Sequence, residues 1–377
     1  MTMVKKNKAD RKGGAVLVPL AAVLLGFVVG SIVILITGKS PLLMFNAMLQ
    51  GVTGINLSAG TFNPRYIGEL VIQSMPIILT ALCFGFAART GLFNIGAEGQ
   101  LMVGSLAATA VALVVKAPSI VHIPLILGAA MLAGALWGAI PGFLKARFNV
   151  HEVVVTIMLN YTALHFSNWT ILNVFGSTDR VKTAMFPQTA LLKDPWLESI
   201  TNGSRLNWGF VPVLLAVLVY WFIIEKTTFG YGLRAVGYNK DAAKYAGMKV
   251  NRNIVMSMMI AGAFAGLAGA VITTGTFGFG RTLAAAEGYG FDGMAVALVG
   301  ANQAPGIVLA GLLFGMLKAA GPLMQSKGIP KEIGGIIQAS IVLFVAMKYG
   351  IELLVTFIKN RRLKAAALPV DAEEAGV

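Results

Sequence analysis

The sequence predicts an all-α polytopic membrane bundle of about ten transmembrane segments, with broken or re-entrant helices among them. Three observations predict it. Of the 377 residues, 56% are hydrophobic and 12% charged, and mean hydropathy is +0.76. Apolar runs of about 20 residues recur, the length a helix rising 1.5 Å per residue needs to cross a bilayer core. Lys and Arg concentrate in alternate connections between those runs, as the positive-inside rule requires. A water-soluble surface needs far more charge than this, so soluble enzymes and nucleic-acid-binding domains are excluded. The net charge of +14 then belongs to the loop asymmetry, with anionic membrane lipid as its neighbour.

The elements follow in order. Residues 1–14 form a basic arm carrying Lys5, Lys6, Lys8, Arg11 and Lys12. The run from Ala15 to Thr37 is longer than a signal-peptide core and has no small-residue cleavage exit, so it reads as a span. Further runs extend over 68–88, 101–115, 123–144, 153–173, 210–224 and 254–274, and a broken apolar stretch occupies 291–357. The transmembrane domain is therefore 15–358. Counting Lys and Arg places both termini, the Lys145/Arg147 turn and the 225–253 loop in the cytoplasm, and the mixed-charge loop 174–209 outside. A cytoplasmic tail, 359–377, requires an odd number of crossings in 291–357, and three are expected. Glycines at 134, 138 and 142, at 262 and 266, and at 311 and 315 have the spacing of close helix packing.

Cys83 is the only cysteine, so neither an intrachain disulfide nor a thiolate metal cluster can form. Histidines at 122, 151 and 165 are too scattered to suggest a metal site. Gly38-Lys39-Ser40 resembles the end of a phosphate-binding loop, but Val33 stands where that loop needs glycine. No cofactor is therefore expected on this chain, and any ATP belongs on a partner.

Four acids, Glu69, Glu98, Glu287 and Asp292, sit in or beside apolar runs, where a charge costs about 2.5–3.5 kcal/mol or more. Glu69 falls at a span end. Glu98 lies in a segment that Gly91, Gly96 and Gly99 interrupt, between two apolar runs. That segment either lines an internal path through Asn94, Glu98 and Gln100 or is a short cytoplasmic turn. The stretch 287–306, with Asp292, repeats the theme of glycine, acid and short apolar half-helix. Glu152, Thr156 and Asn160 share one helical face, and Tyr161, His165 and Trp169 form an adjoining stripe at the same spacing. These faces suit either a ring-shaped, hydrogen-bonding solute or bonds between helices.

In the 225–253 loop, Asn239 has the place of an N-cap, Asp241 lies in the first turn and Gly247 follows the last. Ala242, Ala243 and Ala246 leave one side of this short helix bare, flanked by Arg234, Lys240, Lys244 and Arg252. It reads either as a helix that docks in a groove of another protein or as a basic loop lying along the membrane.

Asp241-Ala242-Ala243-x3-Gly247 resembles the loop by which permeases of ATP-binding-cassette (ABC) importers engage their ATPase, with Asp in place of Glu. The segments Gly91 to Gln100, Glu152 to Tyr161 and Gly232 to Asn239 together resemble the nucleoside-importing branch of the ribose and branched-chain amino acid permeases. The segment from Gly288 to Gly306 is similar to the wider family. The resemblance spans roughly residues 65–350. It implies a plasma-membrane permease for nucleosides, working with a second related permease, a cytoplasmic ATPase that binds ATP, and an extracellular substrate-binding lipoprotein. With the residue readings above, it points to Asn94, Glu98, Gln100, Thr156, Asn160, Tyr161 and Asp292 for the pathway, and to Arg234, Asn239, Asp241, Ala242, Ala243, Ala246 and Gly247 for the coupling. Within the family, import of sugars or branched-chain amino acids is the rival reading. An ion-coupled carrier using Glu98 and Asp292 is another. A membrane enzyme is disfavoured, because paired acids, metal ligands and a nucleophile with its base are all missing.

Overall fold

A computed structural model describes residues 8–57, 59–176 and 181–347, with side chains from residue 19. The first seven residues of the basic arm and the tail at 359–377 lie outside the described residues. The helices are α1 (Lys8–Ile36), α2 (Pro41–Thr53), α3 (Arg65–Arg89), α4 (Ala97–Val114), α5 (Ser119–Phe148), α6 (Glu152–Asn173) and α7 (Pro195–Ile200). They continue as α8 (Phe210–Lys226), α9 (Thr228–Tyr238), α10 (Lys240–Tyr245), α11 (Val250–Ala270), α12 (Tyr289–Val299), α13 (Ala304–Ser326) and α14 (Glu332–Ala346). A π-helical stretch, Val271–Phe277, prolongs α11, and a small antiparallel hairpin pairs β1 (Ile55–Asn56) with β2 (Thr61–Phe62).

Helix α3 is the axis of the bundle, with 17 of its 25 residues buried. On one side stand α4, α5, α6 and α11; on the other stand α12, α13 and α14, with α1 against α14. Glycine makes both halves tight. A Cβ added at Gly134 of α5 would lie 2.8 Å from the Cα of Gly266 on α11, closer than real Cβ contacts come. Gly311 and Gly315 of α13 admit Ile78 and Ser74 of α3 in the same way. In lipid there is no hydrophobic drive between helices, so this close approach supplies the dispersion contacts that hold them.

These registers also establish which helix ends share a face. Helix α13 runs antiparallel to α3, with Ile307 beside Gly85 and Gly315 beside Ser74. Gly26 and Gly30 of α1 meet Ile341 and Ile337 of α14, so that pair is antiparallel too. The start of α1, the end of α14, Arg89, Lys145 and the α9–α10 segment therefore lie at one face. The hairpin, residues 181–209 and residues 278–287 lie at the other. There, His122 Nδ1 hydrogen-bonds Thr189 Oγ1 at 3.0 Å and Thr183 N donates to Gly280 O at 2.8 Å. Asp194 accepts from Trp208 Nε1 at 2.8 Å and, as N-cap of α7, from Trp196 N at 2.9 Å; both bonds hold its carboxyl below the ordinary range. Glu69 pairs with Arg205 at 2.6 Å, in keeping with its place at a span end.

Among the described residues, six helices are long and apolar enough to cross a membrane, or seven if α8 and α9, bent by 72°, count as one span. That is fewer than the expected ten for physical reasons. Helix α6 is long enough, but its Asn, His and Thr residues dilute its hydropathy. Helices α12 and α14 are apolar but short.

The glycine seam generates a prediction. Gly134→Leu forces α5 away from α11, and overpacking of this kind costs about 1–3 kcal/mol. Gly128→Ala on the same helix meets open space and should be neutral. Thermal unfolding of the purified protein in detergent should separate the two variants, and equal midpoints would refute the seam.

Candidate functional site: two half-helices sharing one carboxylate

After α3 ends at Arg89, Gly91 takes a left-handed turn (φ +76°) and the chain climbs back alongside α3. Asn94 Nδ2 donates to Cys83 Sγ at 3.3 Å and to Gln100 Oε1 at 3.2 Å, and Cys83 Sγ donates to Gln100 Oε1 at 3.2 Å. Cys83 precedes Arg89 by six residues, about 9 Å of helix. Helix α4 therefore starts within the bundle, not at its face, and the short-turn reading of this segment is replaced by a re-entrant one. In the other half, residues 278–288 descend from the opposite face before α12 begins. Thr80 Oγ1 of α3 donates to Tyr289 O at 2.8 Å, so α12 starts at nearly the same depth. It runs toward the Arg89 face, where Tyr220 Oη donates to Asn302 O at 2.7 Å in the turn that follows. The repeated theme of glycine, acid and half-helix thus becomes two helices that begin beside each other and run apart.

Helix starts expose unpaired N–H groups and the positive end of the helix dipole, and two of them side by side need an anion. Glu98, in the first turn of α4, supplies it to α12. Its Oε1 accepts from Gly288 N at 2.9 Å and its Oε2 from Gly290 N at 2.5 Å. The side chain is 1% exposed. Both Glu98 oxygens are thus committed to the backbone at the start of α12. Gly290 is required here, since its Cβ would lie 2.5 Å from Glu98 N.

The start of α4 is held from α6. Asn160 Oδ1 accepts from Gly99 N at 2.8 Å, and Asn160 Nδ2 donates to Ile95 O at 3.0 Å. Thr156 is fully buried, bonds Val153 O at 3.1 Å and packs against Gly96. The Glu152, Thr156 and Asn160 face therefore points inward, and Lys145 pairs with Glu152 at 3.0 Å. Tyr161 is the exception among the expected pathway residues. It is 65% exposed and lies with His165 and Trp169 on the outer surface, because one helical position turns it about 100° from Asn160.

Asp292, in the first turn of α12, pairs with Lys318 of α13 at 2.6 Å, and the Lys318 ammonium stands 4.2 Å over the Tyr289 ring. Arg281 pairs with Glu287. The sequence reading missed Lys318, Arg281 and the part played by Cys83. A lone lysine in the apolar run 304–326 was legible by the same cost argument that singled out the acids.

At the Arg89 face, Asn239 caps α10, its Oδ1 accepting from Asp241 N at 3.0 Å and Ala242 N at 2.9 Å. Gly247 takes φ +79° just past the helix end, as expected. Arg234 Nη1 donates to Ile224 O and to Glu225 Oε2, each at 2.6 Å, and Glu225 also binds Arg89. Ala242 and Ala246 are exposed with Asp241, but Ala243 is 4% exposed and packs into the core. The bare face is thus Ala242 and Ala246 beside Tyr245, not the three alanines together. Gly237 of α9 sits against Gly91, where a Cβ would meet the Gly237 Cα at 3.1 Å. The α9–α10 unit therefore rests on the turn that leads to Asn94 and Glu98.

Removing the carboxylate tests this arrangement. Glu98→Ala orphans two buried N–H groups at about 1–3 kcal/mol each, whereas Glu98→Gln keeps one acceptor. Melting temperatures should rank wild type, then Gln, then Ala; an Ala variant as stable as wild type would remove Glu98 from this role.

Residues 66–346 match the family described as branched-chain amino acid transport system, permease component. The chain is 47% identical to the guanosine ABC transporter permease protein NupP of Bacillus subtilis, over 92% of this chain and 97% of that one. It is 38% identical to the nucleoside ABC transporter permease protein NupB of Lactococcus lactis, over 96% and 97%. It is 32% identical to the glucose ABC transporter permease protein TsgB13 of Haloferax volcanii, over 87% and 86%. No solved structure matches the chain. An all-helical bundle with a capped surface helix and two half-helices meeting inside it, matched by family over most of its length, belongs to the branched-chain amino acid transport system permease components.

Proposed function

We propose that this chain is the membrane-spanning subunit of an ATP-driven importer of nucleosides. The observation that carries the reading is the near full-length similarity to two permeases named for guanosine and nucleoside transport. The chain itself does no chemistry and binds no cofactor; ATP is bound and hydrolysed by a cytoplasmic ATPase. An extracellular lipoprotein delivers the nucleoside, and a second related permease completes the path.

Orientation follows from charge. Lys145, Arg147, Lys226, Lys240, Lys244, Lys249 and Arg252 gather near the α10 face, which the positive-inside rule assigns to the cytoplasm of a plasma-membrane protein. Both termini then lie inside. We count ten crossings, α1, α3, α4, α5, α6, α8, α11, α12, α13 and α14, with α4 and α12 crossing partly as extended chain and α2 lying at the outer face. The outward stripe of Tyr161, His165 and Trp169 suits cover by the second permease better than by lipid.

Coupling runs through named contacts. The ATPase grips α10 by Ala242, Ala246 and Tyr245, and Asn239, Asp241 and Gly247 shape that handle. Arg234 and Arg89 clamp its base through Glu225. Movement passes from Gly237 to Gly91, along Asn94 and Gln100 to Glu98, and through the Glu98 carboxylate to the start of α12 and Asp292. Thr156 and Asn160 hold the frame against which this segment moves. Such a device shifts transport only because ATP binds one of its states better than the other. Ion coupling is disfavoured, since Glu98 is bonded to backbone and Asp292 to Lys318.

Reconstitution of the four subunit types in vesicles tests this reading. Labelled guanosine uptake should require ATP and the lipoprotein; uptake that ignores ATP but collapses with an ion gradient would overturn it. In the same vesicles Ala242→Arg should lower uptake by about ten-fold or more and strip the ATPase from the purified complex. Ala243→Arg should instead lower the yield of folded permease, because that side chain points into the core.

A further inference from the structure

The described residues enclose a cleft of about 580 Å³ between α13, α14 and the segment leading into α12. It does not coincide with the Glu98 site. Its polar lining comprises Glu287, Lys318, Gln325, Lys331, Glu332 and Gln338. The volume falls within the range of small-molecule sites, about 300–1,000 Å³. Its rim, Gln325, Lys331 and Glu332, is exposed at the face opposite α10, while Lys318 and Gln338 are half-buried. Lys318 stands eight residues, about 12 Å, inside the outer end of α13. A lysine at that depth in an apolar helix is costly unless it faces a cavity and a partner, and Lys318 has both.

We infer that this cleft is the outward-facing solute site of the permease, built for a neutral, hydroxyl-bearing ring solute, with Lys318 as its floor. The inference rests on the proposed function for the identity of that solute. Charge selects the class. Lys318 is paired with Asp292 and Glu287 with Arg281, so the floor of the cleft holds no unpaired cation for a phosphate group. The amides of Gln325 and Gln338 can donate to and accept from sugar hydroxyls and ring nitrogens, and the carboxylates of Glu287 and Glu332 can accept from sugar hydroxyls. Gln338 is oriented for this by its bond to Phe314 O at 3.4 Å. The floor is also where the coupling path ends: Lys318 is bonded to Asp292 on the first turn of α12, the turn whose start Glu98 holds. A displacement of α12 therefore moves the floor of the cleft.

Two cleft residues leave open space beside their backbone. A Cβ added at Gly321 or Gly335 meets nothing within 4 Å. In the complete reconstituted complex, Gly335→Trp should lower nucleoside uptake by about ten-fold or more, with ATPase co-purification and basal ATP hydrolysis unchanged, while Gly335→Ala transports normally. Wild-type uptake by Gly335→Trp would overturn the site. Should that variant fail to assemble, Gln338→Leu decides: its maximal uptake rate at saturating lipoprotein should fall about five-fold or more with ATPase co-purification unchanged, and an unchanged rate overturns the proposal. Transport of guanosine 5′-monophosphate as fast as guanosine would overturn the neutral-solute assignment. A wild-type complex that carries labelled glucose but no nucleoside would refute the nucleoside reading alone; loss of that glucose uptake in Gly335→Trp would still support the cleft.

Discussion

Two helices that begin at one depth inside an apolar bundle set the central constraint of this protein, because each start presents unpaired N–H groups where no lipid can bond them. The Glu98 carboxylate meets the constraint for α12, and the amide side chains of Asn94 and Asn160 meet it for α4. Much else follows. Gly290 must lack a side chain so that the carboxylate can reach the backbone. Cys83 and Gln100 close a small polar network with Asn94. The charge of Glu98, expensive in lipid, becomes tolerable because it is bonded to oriented dipoles.

The same arrangement connects a surface helix to the interior of the bundle through contacts. Helix α10 is attached through α9 to Gly91, and from Gly91 the chain leads without a break to Asn94 and Glu98. Glu98 then joins the two halves of the bundle across 190 residues of sequence. Beyond that joint lie Asp292 and Lys318.

Close packing and polar contacts have distinct tasks in this molecule. Glycine pairs such as Gly134 with Gly266 bring α5 and α11 together through dispersion alone. The polar contacts Asn160 to Gly99, Glu98 to Gly288 and Lys318 to Asp292 occur where the chain leaves helical geometry or where a charge must be accommodated. That division is what a bilayer imposes: apolar surface gains nothing by pairing except fit, while an unpaired polar group there is costly.

Composition and run lengths alone determined that this is an all-helical membrane protein, because a bilayer reads only hydrophobicity and length. Glycine spacing announced the α5–α11 seam, and Asn239, Asp241 and Gly247 announced α10, since caps are local. Periodicity also placed Thr156 and Asn160 on one shared face, which packing turned inward. Only the tertiary structure decided that Glu98 faces the start of α12, that Ala243 turns into the core and Tyr161 outward, and that Lys318 partners Asp292. Each of these depends on which helices are neighbours and how they are rotated, and a helix that is apolar on all sides carries no local signal of its own orientation. Packing between elements far apart in the chain supplies that information.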